Sequence, residues 1–254
     1  MLSAINPAIS EYLFLAATPD GTQIFVSNGI VGLWDVTSDT FISQPLVRPG
    51  FNIGVLTSAA ADGTWFSSDF DIVNPSLYQS SVMQDVDYLQ TGTNGVNTVF
   101  CEKLHPSGAL LYVPQNNGVD IYDSYHGHIA RRVVLPLQVL STFDAMAIDQ
   151  TGSQVFLITA TGLTIVNIAD LPLSVGSLTP AQGSASGSVS VRIRGSGFQN
   201  GATVMFGGTG AVVSFVDSST LQVTTPALPV GAARVTVVNP DGTQYALDDS
   251  FTAN

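Results

Sequence analysis

The chain has 254 residues, of which 45% are hydrophobic and only 10% are charged, a balance that excludes a disordered protein. Its net charge of −12 at pH 7 repels phosphate backbones and anionic membranes, which argues against nucleic-acid binding and membrane insertion. All but two of the 19 acidic residues are Asp, and because Asp serves turns whereas Glu serves helices, we predict an all-β protein.

Four stretches in the first two thirds of the chain share a glycine-containing turn followed by a strand-like run. The glycines lie at positions 21, 63, 108 and 152, so the spacings are 42, 45 and 44 residues. The clearest copy is 18–29, where the turn dipeptide Asp-Gly precedes an alternating run of β-branched and aromatic residues. A nearly constant period in the low forties with strand chemistry predicts β-propeller blades.

Each repeat is predicted to form up to four strands. In the first repeat these are 12–17, 23–27, 31–36 and 41–47, and the first strands of the later repeats fall at 53–60, 97–104 and 143–148. The third strand closes with Asp35, and Asp123 and Asn167 occupy the equivalent position, where an acceptor side chain binds backbone N–H groups of the next turn. The second repeat diverges and carries a longer stretch, 75–95, which we interpret as a loop insertion.

These repeats resemble bacterial propeller proteins of the YVTN type over residues 10–172. Blades of that type read as a strand, a Pro-Asp-Gly turn, a Leu/Ile-Tyr/Phe-Val run, Asn-Gly and a strand ending in Asp. The resemblance implies a propeller architecture and bacterial origin, and no particular activity, because such propellers serve many tasks.

The composition changes near Leu171-Pro172, and alternating strands at intervals of about ten to twelve residues, cut by Gly and Pro, then predict a β-sandwich. Residues 176–254 resemble the IPT/TIG family, an immunoglobulin-like fold. The matching motifs are Pro-x-x-Gly at 180–183, Gly-x-Gly-Phe at 195–198, Gly-Ala-x-Val-x-Phe-Gly-Gly at 201–208, and Asn-Pro-Asp-Gly at 239–242. The predicted organisation is therefore a partial propeller of about four blades over 1–172, followed by an Ig-like sandwich over 173–254.

The histidines are the first candidates for chemistry. His126 and His128 could share a metal with Asp123, but their place after a third strand favours a solvent-facing turn. His105 occupies a repeat turn and is interpreted as structural. Gly195-Ser196-Gly197 is read as a turn of the sandwich, because the chain has no Gly-x-Ser-x-Gly elbow and the run has no phosphate-loop lysine.

The remaining candidates have ordinary structural interpretations. The carboxylate pairs Asp69/Asp71 and Asp85/Asp87 are interpreted as solvated strand faces rather than calcium sites. Alternation places the side chains of Arg192 and Arg194 on the solvent face of a strand. Cys101, the single cysteine, is predicted to be a small buried hydrophobe. No catalytic residue, metal site or cofactor is predicted, and the ligand-binding residues stay open.

The resulting functional hypothesis is a non-catalytic, extracellular or cell-surface binding and scaffolding protein of bacterial type. Its partners would be proteins or polysaccharides, bound at the turns around 28–29, 116–118 and 161–162. The alternative is a propeller enzyme of the lyase or lactonase class with an accessory IPT/TIG domain. A nucleic-acid-binding IPT/TIG protein is disfavoured, because neither half offers a basic surface.

The number of repeats carries a further expectation. Propellers that resemble this repeat usually close with seven blades, whereas four units are found here. Three outcomes are open: further blades before Met1, closure of the four units as a tight ring, or pairing of two such chains into an eight-bladed dimer. Of these we expect further blades, and a signal peptide, before Met1. Four blades alone would leave an apolar face on the first and on the last blade, so the isolated chain is expected to self-associate.

Overall fold

The computed structural model describes residues 14–18, 21–27, 31–46, 57–60, 65–68, 71–73, 79–82, 101–139 and 146–254. Every regular element in these ranges is a β-strand, which confirms the predicted all-β class. No helix in these ranges is long and apolar enough to cross a membrane. The chain divides into two compact units, one formed by 1–106 and 111–168 and the other by 107–110 and 169–254.

The described residues of the first unit form four antiparallel sheets, in each of which the strands follow one another in chain order. Their strands are β1 (Phe14–Ala17), β2 (Gln23–Ser27), β3 (Val31–Asp35) and β4 (Thr40–Leu46) in sheet 1; β5 (Thr57–Ala59), β6 (Phe66–Ser68), β7 (Asp71–Val73) and β8 (Gln79–Val82) in sheet 2; β9 (Lys103–Leu104), β10 (Leu110–Gln115), β11 (Gly118–Asp123) and β12 (Ile129–Val134) in sheet 3; and β13 (Met146–Ile148), β14 (Gln154–Thr159) and β15 (Gly162–Asn167) in sheet 4.

The first strands of successive sheets are neighbours: β1 lies beside β5, β5 beside β9, and β9 beside β13. Up-and-down sheets joined at their first strands are propeller blades, as the repeat predicted. Of the first strand predicted at 97–104, residues 97–100 lie outside the described residues, and β9 covers Lys103–Leu104 of the remainder. The third strand of sheet 1 ends at Asp35, one residue early, because Asp35 starts the next turn.

The repeat glycines form the turn between the first and second strands. Gly21, Gly108 and Gly152 have φ angles of +69°, +77° and +68°, a region in which side chains are strained. Gly63 lies outside the described residues. The same backbone hydrogen bond closes the turn in three sheets: Thr18 N donates to Gln23 O at 3.0 Å, Ala60 N to Trp65 O at 2.9 Å, and Asp149 N to Gln154 O at 3.0 Å.

The acceptor side chains that close the third strands behave as predicted in two sheets. Asp35 Oδ1 accepts from Ser38 N at 2.7 Å and from Ser38 Oγ at 2.8 Å. Asp123 Oδ1 accepts from the backbone of Tyr125 and His126 at 2.9 and 2.7 Å. Asn167 differs, because its Oδ1 accepts from Gln154 Nε2 across the strand pair at 3.0 Å.

The second unit is a two-layer sandwich with its own core. One layer has the order β16-β18-β22-β21 and the other β17-β24-β23-β19-β20. Phe206 and Phe251, both fully buried, meet edge to face between the layers with ring centroids 5.2 Å apart. The strands are β16 (Ser174–Thr179), β17 (Gln182–Gly183), β18 (Ser190–Ser196), β19 (Thr203–Phe206), β20 (Thr209–Gly210), β21 (Val212–Asp217), β22 (Thr220–Thr224), β23 (Gly231–Val238) and β24 (Gln244–Ala253).

Candidate functional site

A groove of about 270 Å³ runs along the first strands of sheets 2, 3 and 4. The place where first strands meet is the central channel of a propeller. The groove has a mixed lining: its polar groups come from Ser58, Lys103, Asp149 and Gln150, and its apolar walls from Ala59, Leu104, Pro106, Ala147 and Ile148. Donors, acceptors and small apolar surfaces in one open groove suit a polar ligand such as a peptide or a sugar.

Two polar side chains of this groove, those of Ser58 and Asp149, are hydrogen-bonded to neighbouring residues. Ser58 Oγ accepts from Leu104 N at 2.8 Å, so it fixes β5 against β9. Asp149 Oδ1 accepts from Gln154 N at 2.8 Å, and its other oxygen accepts from the Thr151 hydroxyl. Partial burial opposes ionisation of Asp149, but the hydrogen bonds from Thr151, Gln154 and Ser153 together lower its pKa. These hydrogen bonds keep Asp149 ionised and fix the orientation of its carboxylate in the turn.

A buried polar contact joins sheet 3 to the repeat turn of sheet 4. His105, fully buried, places Nε2 3.0 Å from Thr151 O, and Tyr112 donates its hydroxyl to Gly152 O at 2.8 Å. The two rings are nearly parallel, with centroids 6.3 Å apart. Burial, and then the charge of Asp149, raises the pKa of Tyr112 far above its ordinary value. His105 therefore has the structural place that its position in the repeat predicted.

His126 and His128 lie in the turn after β11 and are both exposed, as predicted for a solvent-facing turn. Their ring centroids are 5.6 Å apart, and His126 Nδ1 lies 3.1 Å from Asp123 Oδ1. That same Asp123 oxygen accepts two backbone N–H groups of the turn, so its geometry is set by the turn. Across the described ranges, no three His, Cys, Asp or Glu side chains lie close enough to hold a metal ion.

Two of the turns predicted to bind ligands are joined by the segment that connects sheets 3 and 4. Leu135 N and Val139 N donate to the carbonyl oxygens of Asn117 and Asn116 at 2.6 and 2.8 Å. Ala160 N, beside the predicted turn at 161–162, donates to Gln138 O at 3.1 Å. The exposed side chains at 116–117 and 161 thus belong to one continuous rim. The third predicted turn, Asn28-Gly29, lies outside the described residues.

The remaining candidate residues are buried, belong to strands, or lie outside the described ranges. Cys101 is buried and its thiol lies 3.7 Å from Met146 O. The predicted turn at Gly195-Ser196-Gly197 is wrong for its first two residues, because Ser196 is the last residue of β18, pairs with Ser174 of β16, and donates its buried hydroxyl to Pro172 O at 2.7 Å. Arg192 is exposed and Arg194 half-buried, opposite the buried Val191 and Ile193. Asp69, Asp85 and Asp87 lie outside the described residues, and of Asp71 only the backbone, in β7, is described.

The ion pair between Asp120 and Arg132 was not predicted from the sequence. Asp120, which is fully buried, accepts from Arg132 Nε and Nη2 at 2.6 and 2.7 Å, in a bidentate pair between β11 and β12. The two residues are direct cross-strand partners. An Asp in a predicted central strand with arginines twelve residues later is the signal that could have revealed the pair, because opposite charges favour facing positions.

Comparison with known proteins identifies the second unit. Residues 173–253 match the family model of the IPT/TIG domain, which confirms the resemblance expected for that half. The β-propeller domain of Cps50 (Swd1) from Myceliophteria thermophila is similar at 13% identity, over 94% of this chain and 83% of that chain, with a TM-score of 0.43. No curated protein matches the chain.

Proposed function

We propose that this chain is a non-catalytic binding and scaffolding protein, of the kind that bacteria secrete or display at the cell surface. The observation that carries the proposal is the use of its carboxylates. Asp35, Asp149, Asp217 and Asp241 accept hydrogen bonds within their own turns, which lower their pKa values. They serve as fixed anions that build loops, whereas general acid–base catalysis needs carboxyl groups tuned towards neutral pH.

The proposed binding surface is the groove along β5, β9 and β13 together with the rim around 116–117 and 161. Both lie on the repeated strand frame, which holds the backbone of a binding surface in place. The IPT/TIG unit supports the same function, since such domains often mediate protein binding. The YVTN resemblance of 10–172 supports an extracellular, bacterial setting as part of this proposal.

The enzyme alternative has one observation in its favour. Lys103 and Asp149 both line the groove, at the place in a propeller where a lyase or lactonase would act. A catalytic role for Asp149 would require a raised pKa, and the hydrogen bonds to Thr151 and Gln154 act in the opposite direction. We therefore keep the groove as a binding site in the proposal.

A binding screen on the purified full-length chain tests this proposal. Bacterial cell-wall and capsular polysaccharides and surface-protein peptides are the probes, and we expect saturable binding that weakens at least about tenfold in Lys103→Ala and Gln150→Ala. Arg234→Ala is the matched control, because Arg234 forms only an exposed ion pair with Asp248 in the second unit. This control should bind as the wild type does.

The same preparation is assayed for lactonase, esterase and polysaccharide lyase turnover and for bound metal. We expect no turnover and no stoichiometric Zn²⁺ or Ca²⁺. Turnover that Asp149→Asn abolishes would establish the enzyme alternative. Stoichiometric metal would also overturn the proposal, and His126→Ala with His128→Ala would then identify the site.

A further inference from the structure

Successive sheets of the first unit contact each other through equivalent repeat positions. In sheets 1 and 3, the residue four after the repeat glycine is aromatic and contacts the next sheet, whereas sheet 2 has the buried Ser67 at this position. In sheet 1 it is Phe25, buried and stacked on Phe66 of sheet 2 with centroids 4.8 Å apart. In sheet 3 it is Tyr112, whose hydroxyl reaches Gly152 O of sheet 4. We call the surface that carries this position the forward face of a sheet.

The residues three and five after the glycine lie on the opposite side of the same strand, which we call the rear face. Phe66, three after Gly63, receives Phe25 of the preceding sheet. Val155 and Leu157 of sheet 4 are likewise fully buried. In sheet 3, β11 and the first five residues of β10 are buried on both sides. Sheet 3, which has neighbours on both sides, therefore has both faces of these two strands covered.

The forward face of sheet 4 is apolar and exposed. Phe156 pairs with Ile165, and Ile158 pairs with Leu163, so all four side chains share this face. Ile158, Leu163 and Ile165 are 40%, 66% and 55% exposed. Strands of a sheet covered on one side only would alternate apolar with polar residues, whereas this face continues the apolar pattern of a covered sheet.

The rear face of sheet 1 is the matching half. Ile24 and Val26, the positions three and five after Gly21, are only half-buried, and Leu15, the cross-strand partner of Val26, is 55% exposed. Trp34, opposite Ile24, extends the same apolar surface. The rear face of sheet 2 receives the aromatic side chain of the sheet before it, whereas the aliphatic residues on the rear face of sheet 1 are partly exposed.

We propose that a second copy of this chain covers both faces: the forward face of sheet 4 in one copy packs on the rear face of sheet 1 in the other. Each junction would place Phe156 of the forward face on Ile24 of the rear face, at the repeat positions that Phe25 and Phe66 occupy between sheets 1 and 2. The two junctions are identical by symmetry, so two copies joined in this way form a closed pair. Closure removes apolar surface that a soluble monomer rarely leaves open.

The net charge of the first unit predicts how the affinity of this dimer changes with salt concentration. Residues 1–172 contain 15 acidic and 4 basic side chains, so two copies repel each other at low ionic strength. The junctions are apolar and gain nothing from screening, whereas the repulsion falls as salt rises. The dimer therefore tightens with salt, the opposite of an association through ion pairs.

Sedimentation velocity and light-scattering chromatography of the full chain test the proposal. The wild type is expected to form a dimer that tightens between 50 mM and 500 mM NaCl. Ile165→Asp on the forward face and Leu15→Asp on the rear face should each weaken dimerisation at least about a hundredfold. Val212→Asp is the matched control, because Val212 is an exposed strand residue of the second unit, 75% exposed, and should leave the dimer intact.

Mixing the two variants tests the head-to-tail geometry. Ile165→Asp keeps its rear face and Leu15→Asp keeps its forward face, so the mixture should form a one-to-one complex although each variant alone is monomeric. Circular dichroism verifies folding, and Leu163→Thr, which replaces an exposed apolar side chain of the forward face by a polar residue that strands favour, serves if an Asp variant unfolds. A monomeric wild type, a mixture that stays monomeric, or assemblies that grow beyond two copies would each overturn the proposal.

Discussion

Replacing Gly152 by Ala is expected to lower the free energy of unfolding of the first unit by about 3 kcal/mol. A φ of +68° costs an L-residue about 1–2 kcal/mol. The added Cβ would also overlap the His105 ring and lie 2.8 Å from the Tyr112 hydroxyl. Both side chains are buried, so they cannot move aside without losing the contacts that hold sheet 3 to sheet 4. Chemical denaturation of the full chain, followed by tryptophan fluorescence, measures the change.

Gly21 provides the matched control. It occupies the same repeat position with a φ of +69°, and an added Cβ would meet nothing within 4 Å. Gly21→Ala should therefore cost only the backbone part, about 1–2 kcal/mol. His105→Ala combined with Gly152→Ala should be less destabilised than the sum of the two single changes. Equal losses for the two glycine variants would contradict the contact between sheets.

The second large effect is expected at Asn239 in the IPT/TIG unit. Its Nδ2 donates to Gly197 O at 2.9 Å, and its Oδ1 accepts from Gln199 N at 3.1 Å. Asn239 is 4% exposed, and Asn239→Ala removes its hydrogen bonds to two part-buried backbone groups, Gly197 O and Gln199 N. We expect a loss of about 3 kcal/mol in the free energy of unfolding of that unit, at about 1–2 kcal/mol for each unsatisfied group.

Gln199→Ala is the control for Asn239. Gln199 is exposed, and its side chain donates to Asp241 Oδ2 at 2.6 Å, so its removal disturbs the same loop without orphaning a backbone group. The change should cost no more than about 0.5 kcal/mol. Thermal melts of both variants with the wild type decide the matter, and a similar loss for the two would mean that Asn239 does not hold the loop.

Asn239 also explains why two separated motifs occur together in this half of the chain. One is Gly-Ser-Gly-Phe at 195–198 and the other Asn-Pro-Asp-Gly at 239–242, more than forty residues later. The Asn side chain binds the end of the first motif, while its own N–H donates to Thr243 O at 2.9 Å to close the second turn. Both motifs belong to the resemblance to the IPT/TIG family, and the structure shows the hydrogen bond that joins them.

Features with a local physical cause were predictable from the sequence. The repeat turns follow from Asp-Gly and Ser-Gly chemistry, and the carboxylates of Asp35 and Asp123 close turns only two or three residues away. The inside-outside pattern of 190–196 follows from strand periodicity, because alternate side chains point to opposite faces.

Features made by distant residues were not predictable. Ser58, Lys103 and Asp149 are more than forty residues apart from one another and meet only because the first strands of sheets 2, 3 and 4 lie side by side. The pair of Asp120 and Arg132 depends on the register between β11 and β12, which no short motif records. The groove and the ion pair thus required the fold itself, whereas the turns required only the sequence.

The central claim is that the chain contains two all-β units, each stabilised by its own core. Fragment 169–254 tests it most directly, because it keeps every residue of the sandwich core and also Pro172, the acceptor for Ser196 Oγ. We expect a β-type circular dichroism spectrum and a single cooperative melt, with a midpoint close to that of the same unit in the full chain. A disordered spectrum, or a gradual melt without a transition, would contradict the account.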